Sequence, residues 1–294
     1  MGLIEVDLEK CRKCGVCVET CPIGVLALDA KKGPKVKSLS SRFCVGCGHC
    51  VAVCPHGALD NVRNPLAGHA PLPAGVPLDP QTALGFLRFR RSIRCYRQEP
   101  VSRDLTLRLL EASRYAPTGH NSQGISFLVL DNCESIRKAG GMVIDWMREL
   151  LDAGSELAAV YHVAGIIKAY EKGEDRIFRN APLAIVAKAD GKLLPAQPST
   201  YLKLEYMELY APALGLGTCW AGYAQACACQ YAPLREFLGI GENETVTGIL
   251  MAGRPAYAYC RLPERDPLEV SWHGEVPAAV RRGRCAGKKK AQAN

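Results

Sequence analysis

Several features are missing from this chain of 294 residues, and each absence excludes a class of protein. No apolar run reaches the roughly 18 residues needed to span a bilayer. The opening stretch, MGLIEVDLEKC, contains neither an apolar signal segment nor a Ser or Thr at position six that would favour N-myristoylation. No G-x-G-x-x-G fingerprint of a dinucleotide-binding βαβ unit occurs. We therefore expect a soluble cytoplasmic protein without a membrane anchor.

The net charge is also small outside the C-terminal tail. The net charge is +8, but residues 281–294 carry six basic and no acidic side chains, which leaves only +2 for the rest of the chain. A basic tail could contact nucleic acid or a membrane. Because no aromatic residue is interleaved with these charges, we favour a disordered, solvated end at 274–294 and expect no nucleic-acid partner.

Cysteine, in contrast, is abundant, and eight of the fifteen cysteines fall in two matching runs. Residues 11–22 read CRKCGVCVETCP and residues 44–55 read CVGCGHCVAVCP, each with the spacing C-x2-C-x2-C-x3-C-P. In this spacing three cysteines wrap one 4Fe–4S cube, and the fourth reaches the cube of the other run. The predicted ligands are Cys11, Cys14, Cys17 and Cys54 for one cluster, and Cys44, Cys47, Cys50 and Cys21 for the other.

A zinc site is the alternative for these cysteines. Zinc takes four ligands, usually as two separated pairs, which does not explain a third cysteine in each run followed by Cys-Pro. The spacing therefore favours two 4Fe–4S clusters. Such clusters and seven further unpaired thiols suit a reducing cytoplasm.

Residues 1–63 form an internal repeat with an offset of 33 residues. Each half is predicted to supply a short strand before its cysteine loop and a helical turn after it, with an exposed turn at 31–37 between them. The segment resembles the bacterial two-cluster ferredoxin. Residues 64–80 contain five prolines and two glycines, so they are predicted to form a semi-extended linker.

Beyond the linker, helical and strand patterns are mixed without regular alternation. The periodicities predict helices and strands in the following segments: helices at 81–96, 105–116, 133–170 with a break near 153–154, and 200–217; strands at 125–131, 181–190, 218–222 and 245–253; and a weaker extended piece at 267–270. This order favours an α+β fold over a doubly wound sheet.

The sequence RFRRSIR concentrates positive charge at the predicted end of the first of these helices. Arg88, Arg90, Arg91 and Arg94 lie with Ser92 inside seven residues. Converging guanidinium groups and a hydroxyl suit a phosphate. A solvated basic face explains the same residues equally well.

A wider resemblance favours the phosphate site. RRSIRCY, LLEASRYAPTGHNSQ, ALGLGTCWAG and GRPA followed by RDPLEV occur in the order and spacing of the nitroreductase family. The chain resembles that family over about residues 84–273. The resemblance implies an α+β domain at 81–273 that forms a homodimer, with FMN bound in a cleft between the subunits.

The resemblance also implies which residues contact FMN. Arg90, Arg91, Ser92 and Arg94 match the segment that meets the flavin phosphate, ribityl chain and pyrimidine edge, and Arg265 matches a late phosphate-binding arginine. Pro117, Thr118, Gly119 and Asn121 match the loop that reaches FMN from the partner subunit, and Ala221 and Gly222 match the strand beside the reactive N5. His120 is a candidate proton donor in that loop.

Two departures from the family pattern affect the substrate rather than the cofactor. Gln123 is followed by Gly124 and Ile125 where the family often has Pro-Trp, and Ala221 stands where the residue beside N5 is often acidic. The C-x-C of Cys227 and Cys229, near Cys219, is either a redox or metal pair or part of the packing; buried cysteine is the commoner role.

Together these patterns predict a ferredoxin fused to an FMN enzyme. Electrons from a low-potential donor, such as ferredoxin, or from NAD(P)H would pass through the clusters and FMN to an organic acceptor such as a nitroaromatic. The alternatives are a reductase of enones, quinones or halogenated aromatics, and a non-catalytic electron carrier or redox sensor.

Overall fold

The computed structural model describes residues 2–73, 75–76 and 78–273. The chain divides into two units, with the boundary between Ala258 and Tyr259. The predicted basic tail at 274–294 lies outside the described residues. The predicted boundaries at residues 63, 80 and 273 stay predictions.

The N-terminal segment is built from two antiparallel strand pairs and two short helical turns. The strands are β1 (Ile4–Val6) paired with β4 (Leu59–Asn61), and β2 (Leu26–Asp29) paired with β3 (Gly33–Val36). The helical turns, α1 (Val16–Glu19) and α2 (His49–Ala52), lie inside the two cysteine runs, each preceded by a glycine at positive φ. Leu3, Val25, Leu26, Val51 and Leu59 form the small core between them.

The expected exposed turn at 31–37 is shorter than predicted. The Asp29 carboxylate accepts hydrogen bonds from the backbone N–H groups of Lys31 and Lys32, which closes the turn at once. The chain therefore begins strand β3 at Gly33, which pairs with β2 as the second strand of a hairpin. The second cysteine run is preceded by a 3-10 turn at Ser41–Phe43 rather than by a strand.

A four-stranded antiparallel sheet forms the centre of the larger domain, residues 81–258. Its strands are β5 (Ile125–Leu130), β6 (Leu183–Asp190), β7 (Gly217–Trp220) and β8 (Glu244–Gly253), in the order β5-β6-β8-β7. The strands predicted at 125–131, 181–190 and 245–253 lie within two residues of the bounds of β5, β6 and β8.

The described residues contain eight further helices. They are α3 (Pro80–Phe89), α4 (Arg103–Ala112), α5 (Cys133–Asp152), α6 (Glu156–Val160), α7 (Val163–Glu171), α8 (Ala196–Tyr210), α9 (Gly222–Gln230) and α10 (Ala232–Phe237). The break predicted near 153–154 separates α5 from α6. The sequence patterns did not predict α9 and α10.

The helix predicted at 81–96 ends earlier, at Phe89. Arg90 leaves the helical conformation with φ −54° and ψ 134°. The chain then pairs with the sheet, where the Ile93 N–H donates to the Thr218 carbonyl at 2.8 Å. The residues after Phe89 therefore pair with the sheet, although their periodicity predicted that the helix would continue.

Alternate residues of β6 face opposite layers, which makes the larger domain a helix–sheet–helix stack. Ala184 and Val186 pack into the core that contains α5, α7 and α9. Leu183 and Ile185 pack into the core that contains α4 and α8. Helix α8 thus lies flat on one face of the sheet, and its side chains position the features described below.

None of the helices in the described part of the chain is long and apolar enough to cross a membrane.

Candidate functional site

Two small cavities in the N-terminal segment are each lined by four cysteines. One is lined by Cys11, Cys14, Cys17 and Cys54. The other is lined by Cys21, Cys44, Cys47 and Cys50. Each cavity therefore combines three cysteines of one run with the fourth of the other, in the same sets that the spacing assigns to one cluster each.

Each set consists of four cysteines, the number of donors that a 4Fe–4S cube takes. Within the described ranges, no three His, Cys, Asp or Glu side chains converge as closely as one metal ion requires. A zinc ion with bonds of about 2.3 Å holds its tetrahedral sulfurs about 4 Å apart. A 4Fe–4S cube has one iron for each cysteine and holds the sulfurs farther apart, so the donor sets suit it.

The second cysteine loop is hydrogen-bonded directly to the larger domain. The Asn121 side-chain nitrogen donates to the carbonyls of Val45 and Gly46, at 3.1 and 3.2 Å. Both carbonyls lie between Cys44 and Cys47. The sequence placed Asn121 in a flavin-binding loop, whereas here its amide group joins that loop to the cysteine loop. No local pattern indicates this contact.

Helix α8 holds the loop that carries Asn121. The Gly119 N–H donates to the Ser199 hydroxyl at 3.3 Å. A Cβ at position 119 would lie 2.5 Å from the Cβ of Pro195, so only glycine fits this approach. Asn121 itself has φ 53°, a left-handed conformation that asparagine tolerates better than most residues. The loop is therefore fixed in place at the N-terminal part of α8.

The four arginines near position 91 do not act alike. Arg90 faces the carboxylates of Glu205 and Glu208, each at 3.6 Å. Arg91 folds back and donates to the carbonyls of Arg90 and Arg88, both at 2.7 Å, at the end of α3.

Arg94 donates to the Ser92 carbonyl at 3.3 Å and forms no ion pair with an acidic side chain of the described residues. Since a phosphate needs a cation that no carboxylate already neutralises, Arg94 suits an anionic ligand better than Arg90 does.

The segment around Ser92 lies against β7. Ser92 forms a parallel bridge with Thr218. Cys219 follows in the strand, and its burial raises the pKa of its thiol while the nearby Arg94 cation acts in the opposite direction.

The prediction that Ala221 and Gly222 belong to this strand is wrong. Strand β7 ends at Trp220, Ala221 precedes helix α9, and Gly222 is its first residue. The reason is that Ala221 donates its N–H to the Ile249 carbonyl and accepts the first helical hydrogen bond from Gln225. Nothing lies within 4 Å of where a Gly222 Cβ would be, so this glycine borders open space.

Glu208 is a functional candidate that the sequence patterns missed. Its carboxylate is only 2 % exposed and accepts hydrogen bonds from Thr218 Oγ1 at 3.2 Å and Trp220 Nε1 at 3.0 Å. Burial raises the pKa of Glu208, and the Arg90 guanidinium opposes that shift. A glutamate among the buried positions of α8 is the signal that sequence reading could have used.

The structure separates two groups of residues that the resemblance assigns to one cofactor. Ser199 contacts the 117–121 loop and Glu208 contacts Arg90, and these anchors lie nine residues apart on α8. At 1.5 Å per residue this is about 13 Å along the helix axis. Within one chain, the arginine segment lies beside β7, and the loop is held by a different part of α8.

The remaining candidates are placed as follows. His120 is exposed, with φ 53°. Arg265 is exposed in the second unit, and its role stays a prediction.

Cys227 and Cys229 lie two apart on α9, so their side chains do not face each other. Burial raises the pKa of the Cys227 thiol to about 12. Cys227 is therefore a packing residue, and the two do not form a redox or metal pair here.

Comparison with known proteins agrees with this arrangement. The model of the nitroreductase family matches residues 87–254, more than half of the chain. The chain belongs to the nitroreductase family. The model of a 4Fe-4S dicluster domain matches residues 10–58 of this nitroreductase-family protein. The family and the α+β fold predicted from the sequence are thus confirmed.

Individual relatives cover mainly the larger domain. A protein of Archaeoglobus fulgidus is 28% identical over 180 residues, which are 60% of this chain and 86% of its own. That protein is provisionally described as an NADH dehydrogenase or NAD(P)H nitroreductase.

Among solved structures, an FMN-bound nitroreductase from Desulfitobacterium hafniense matches with a TM-score of 0.52 and 24% identity, over 64% of this chain and 97% of its own. An FMN-bound nitroreductase from Bacteroides fragilis matches with a TM-score of 0.50 and 22% identity, over 66% of this chain and 97% of its own. At these identities the likeness shows the fold.

Proposed function

We propose that this protein is an iron–sulfur flavoprotein oxidoreductase that takes electrons from a low-potential donor, such as reduced ferredoxin, and passes them to an organic acceptor, such as a nitroaromatic. The observation that carries the proposal is the contact of Asn121 with Val45 and Gly46, which ties one cysteine loop to the larger domain. When bound, the clusters supply one-electron transfer and FMN supplies delivery of an electron pair.

The cysteine sets hold the two clusters, one set in each cavity. Cys14 is exposed, so the first set offers the access that a protein donor needs. The second set lies in the loop that Asn121 holds. Electrons therefore enter at the first set and leave from the second. The free thiols of the described residues and the clusters suit a reducing cytoplasm.

The residues at the end of β7 hold the phosphate and pyrimidine edge of FMN. Arg94, with no acidic partner among the described residues, supplies the charge, and Ser92 supplies a hydroxyl group. Gly222 leaves open space for the flavin ring. FMN bound to the solved structures from Desulfitobacterium hafniense and Bacteroides fragilis supports this choice of cofactor.

A homodimer completes the site. The 117–121 loop lies about 13 Å along α8 from the arginine segment of its own chain. The loop of one chain therefore complements the arginine segment of the other, with Pro117, Thr118 and Gly119 beside the cofactor and His120 as a proton donor. The apolar side chains that α3 exposes supply the dimer contact.

The test uses the full chain purified without oxygen. It should contain eight iron atoms and one FMN per chain. After mixing with reduced ferredoxin, the iron–sulfur absorption should bleach first and the flavin absorption second. Asn121→Ala should slow the second phase several-fold while iron and flavin contents stay the same, because only the link between the loops is lost.

Ser126→Ala, an exposed change five residues along the chain, is the matched control and should leave both phases unchanged. Four irons, no flavin, or an unchanged second phase in Asn121→Ala would overturn the proposal.

A further inference from the structure

One buried amide breaks the symmetry between the two cysteine halves. Asn61, at the end of β4, is 3% exposed. The 33-residue offset of the repeat pairs it with Leu28 in β2, which is 45% exposed and has no hydrogen-bond donor in its side chain. The two halves therefore differ in a polar group close to their cysteines.

The Asn61 amide faces two ligand sulfurs. Its Nδ2 lies 3.8 Å from the Sγ of Cys44 and 3.8 Å from the Sγ of Cys50. The orientation of the amide is determined by its other end, because Oδ1 accepts the Arg63 N–H at 3.0 Å. The nitrogen must therefore point toward the sulfurs. Pairing of Asn61 with Ile4 fixes the backbone beneath it.

The other cysteine set has no such side chain. Among the described residues, Asn61 is the one side chain that donates to sulfurs of the two sets. The first set receives a backbone donor, the Ala58 N–H at 3.3 Å from Cys54 Sγ. The side-chain amide is thus a local addition to the second set.

We propose that Asn61 raises the reduction potential of the cluster held by Cys21, Cys44, Cys47 and Cys50. Reduction adds negative charge to the cluster, and N–H donors to its sulfurs stabilise that charge. This inference rests on the proposed assignment of two clusters. Asn121 binds the same cysteine loop, so this cluster is the one beside the larger domain. The Asn61 amide would therefore favour the reduced state of the cluster nearer the larger domain.

The test is a redox titration of the anaerobic full chain followed by electron paramagnetic resonance. The wild type should show two one-electron cluster steps. In Asn61→Leu, which resembles the Leu28 half, one step should move to lower potential and the other should stay unchanged as an internal control. Two unchanged steps, or an equal shift of both, would overturn the inference.

A second measurement keeps Asn61 and covers the case in which Asn61→Leu does not assemble. The amides of Asn64 and Asn121 also contact the second cysteine loop, so both are replaced by Gln before labelling with ¹⁵N-asparagine. In the reduced protein, pulsed resonance should then detect coupling of the Asn61 label to one cluster; its absence would overturn the inference. Fewer than eight irons in the wild type would instead refute the two-cluster assignment. Eight irons without an Asn61 effect would refute this inference alone.

Discussion

Glu208 illustrates how single buried polar residues define this site. Its carboxylate lies among Thr218, Trp220 and Arg90 with almost no access to solvent. Desolvation favours the protonated form, so the folded state binds a proton at Glu208 more strongly than the unfolded chain does. Such a group makes folding depend on pH in a direction opposite to that of an ion-paired surface carboxylate.

The first prediction concerns this pH dependence. As pH rises from the ordinary glutamate pKa of about 4.3 through the raised pKa of Glu208, the folded state should lose stability. Glu208→Gln keeps the shape and removes the ionisation, so the free energy of unfolding should fall less over that interval. Chemical denaturation at a series of pH values measures the difference.

Glu236→Gln, an exposed change on α10 away from Arg90, is the matched control. It should retain the slope of the wild type. A Glu208→Gln variant with that same slope would contradict the burial argument.

At the scale of elements, the close packing of α8 on β8 organises the larger domain. At Gly248 in β8, an added Cβ would lie 2.7 Å from Leu204 Cδ1 and 3.1 Å from Thr200 Cγ2. A side chain at position 248 would therefore push the helix off the sheet. The same helix carries Ser199, Glu205 and Glu208, so its seating determines where the loop and the arginine segment lie.

The second prediction tests this contact. Gly248→Ala should destabilise the protein by about 1–3 kcal/mol, as overpacked cores do. Gly165→Ala, at an exposed position of α7 with nothing within 4 Å of the new Cβ, should instead stabilise it by about 0.5–1 kcal/mol. Denaturant unfolding of both variants gives the comparison. Equal effects of the two changes would show that α8 is not seated as described.

At the scale of the whole molecule, α3 has no buried residue although half of its side chains are apolar. Phe86 and Leu87 line a groove of about 970 Å³ together with Leu107, Tyr115 and Tyr206. An exposed apolar surface of this kind marks an interaction site.

The third prediction follows from the proposed dimer. Leu87→Lys should convert the protein to monomers and lower flavin content several-fold, while iron content stays unchanged, because the cysteine sets lie within one chain. Light scattering after gel filtration gives the mass.

Val160→Lys, a comparably exposed change on α6 outside the groove, should leave the dimer intact. A monomeric wild type, or a Leu87→Lys dimer with full flavin, would remove the basis for a shared site.

The sequence by itself determined the features that depend on residues close together in the chain. The spacing of the cysteines predicted the two four-cysteine sets that line the cavities, and the periodicity predicted the strands of the sheet within two residues. Local hydrogen bonding marks four of the helix starts in the described residues, as at Asp79 and Ser102, whose side chains accept backbone N–H groups. These features follow from short-range geometry, which one stretch of sequence contains.

Only the tertiary structure decided the features that join distant residues. Asn121 contacts Val45, which lies 76 positions away in the chain. The sequence predicted instead that this asparagine contacts the flavin. Glu208 became a buried acid only because Trp220 and Arg90 fold over it. The orientation of the Asn61 amide is set by the hydrogen bond that its oxygen accepts from the Arg63 N–H. Periodicity and spacing carry no information on such contacts, because they depend on where packing places separate elements.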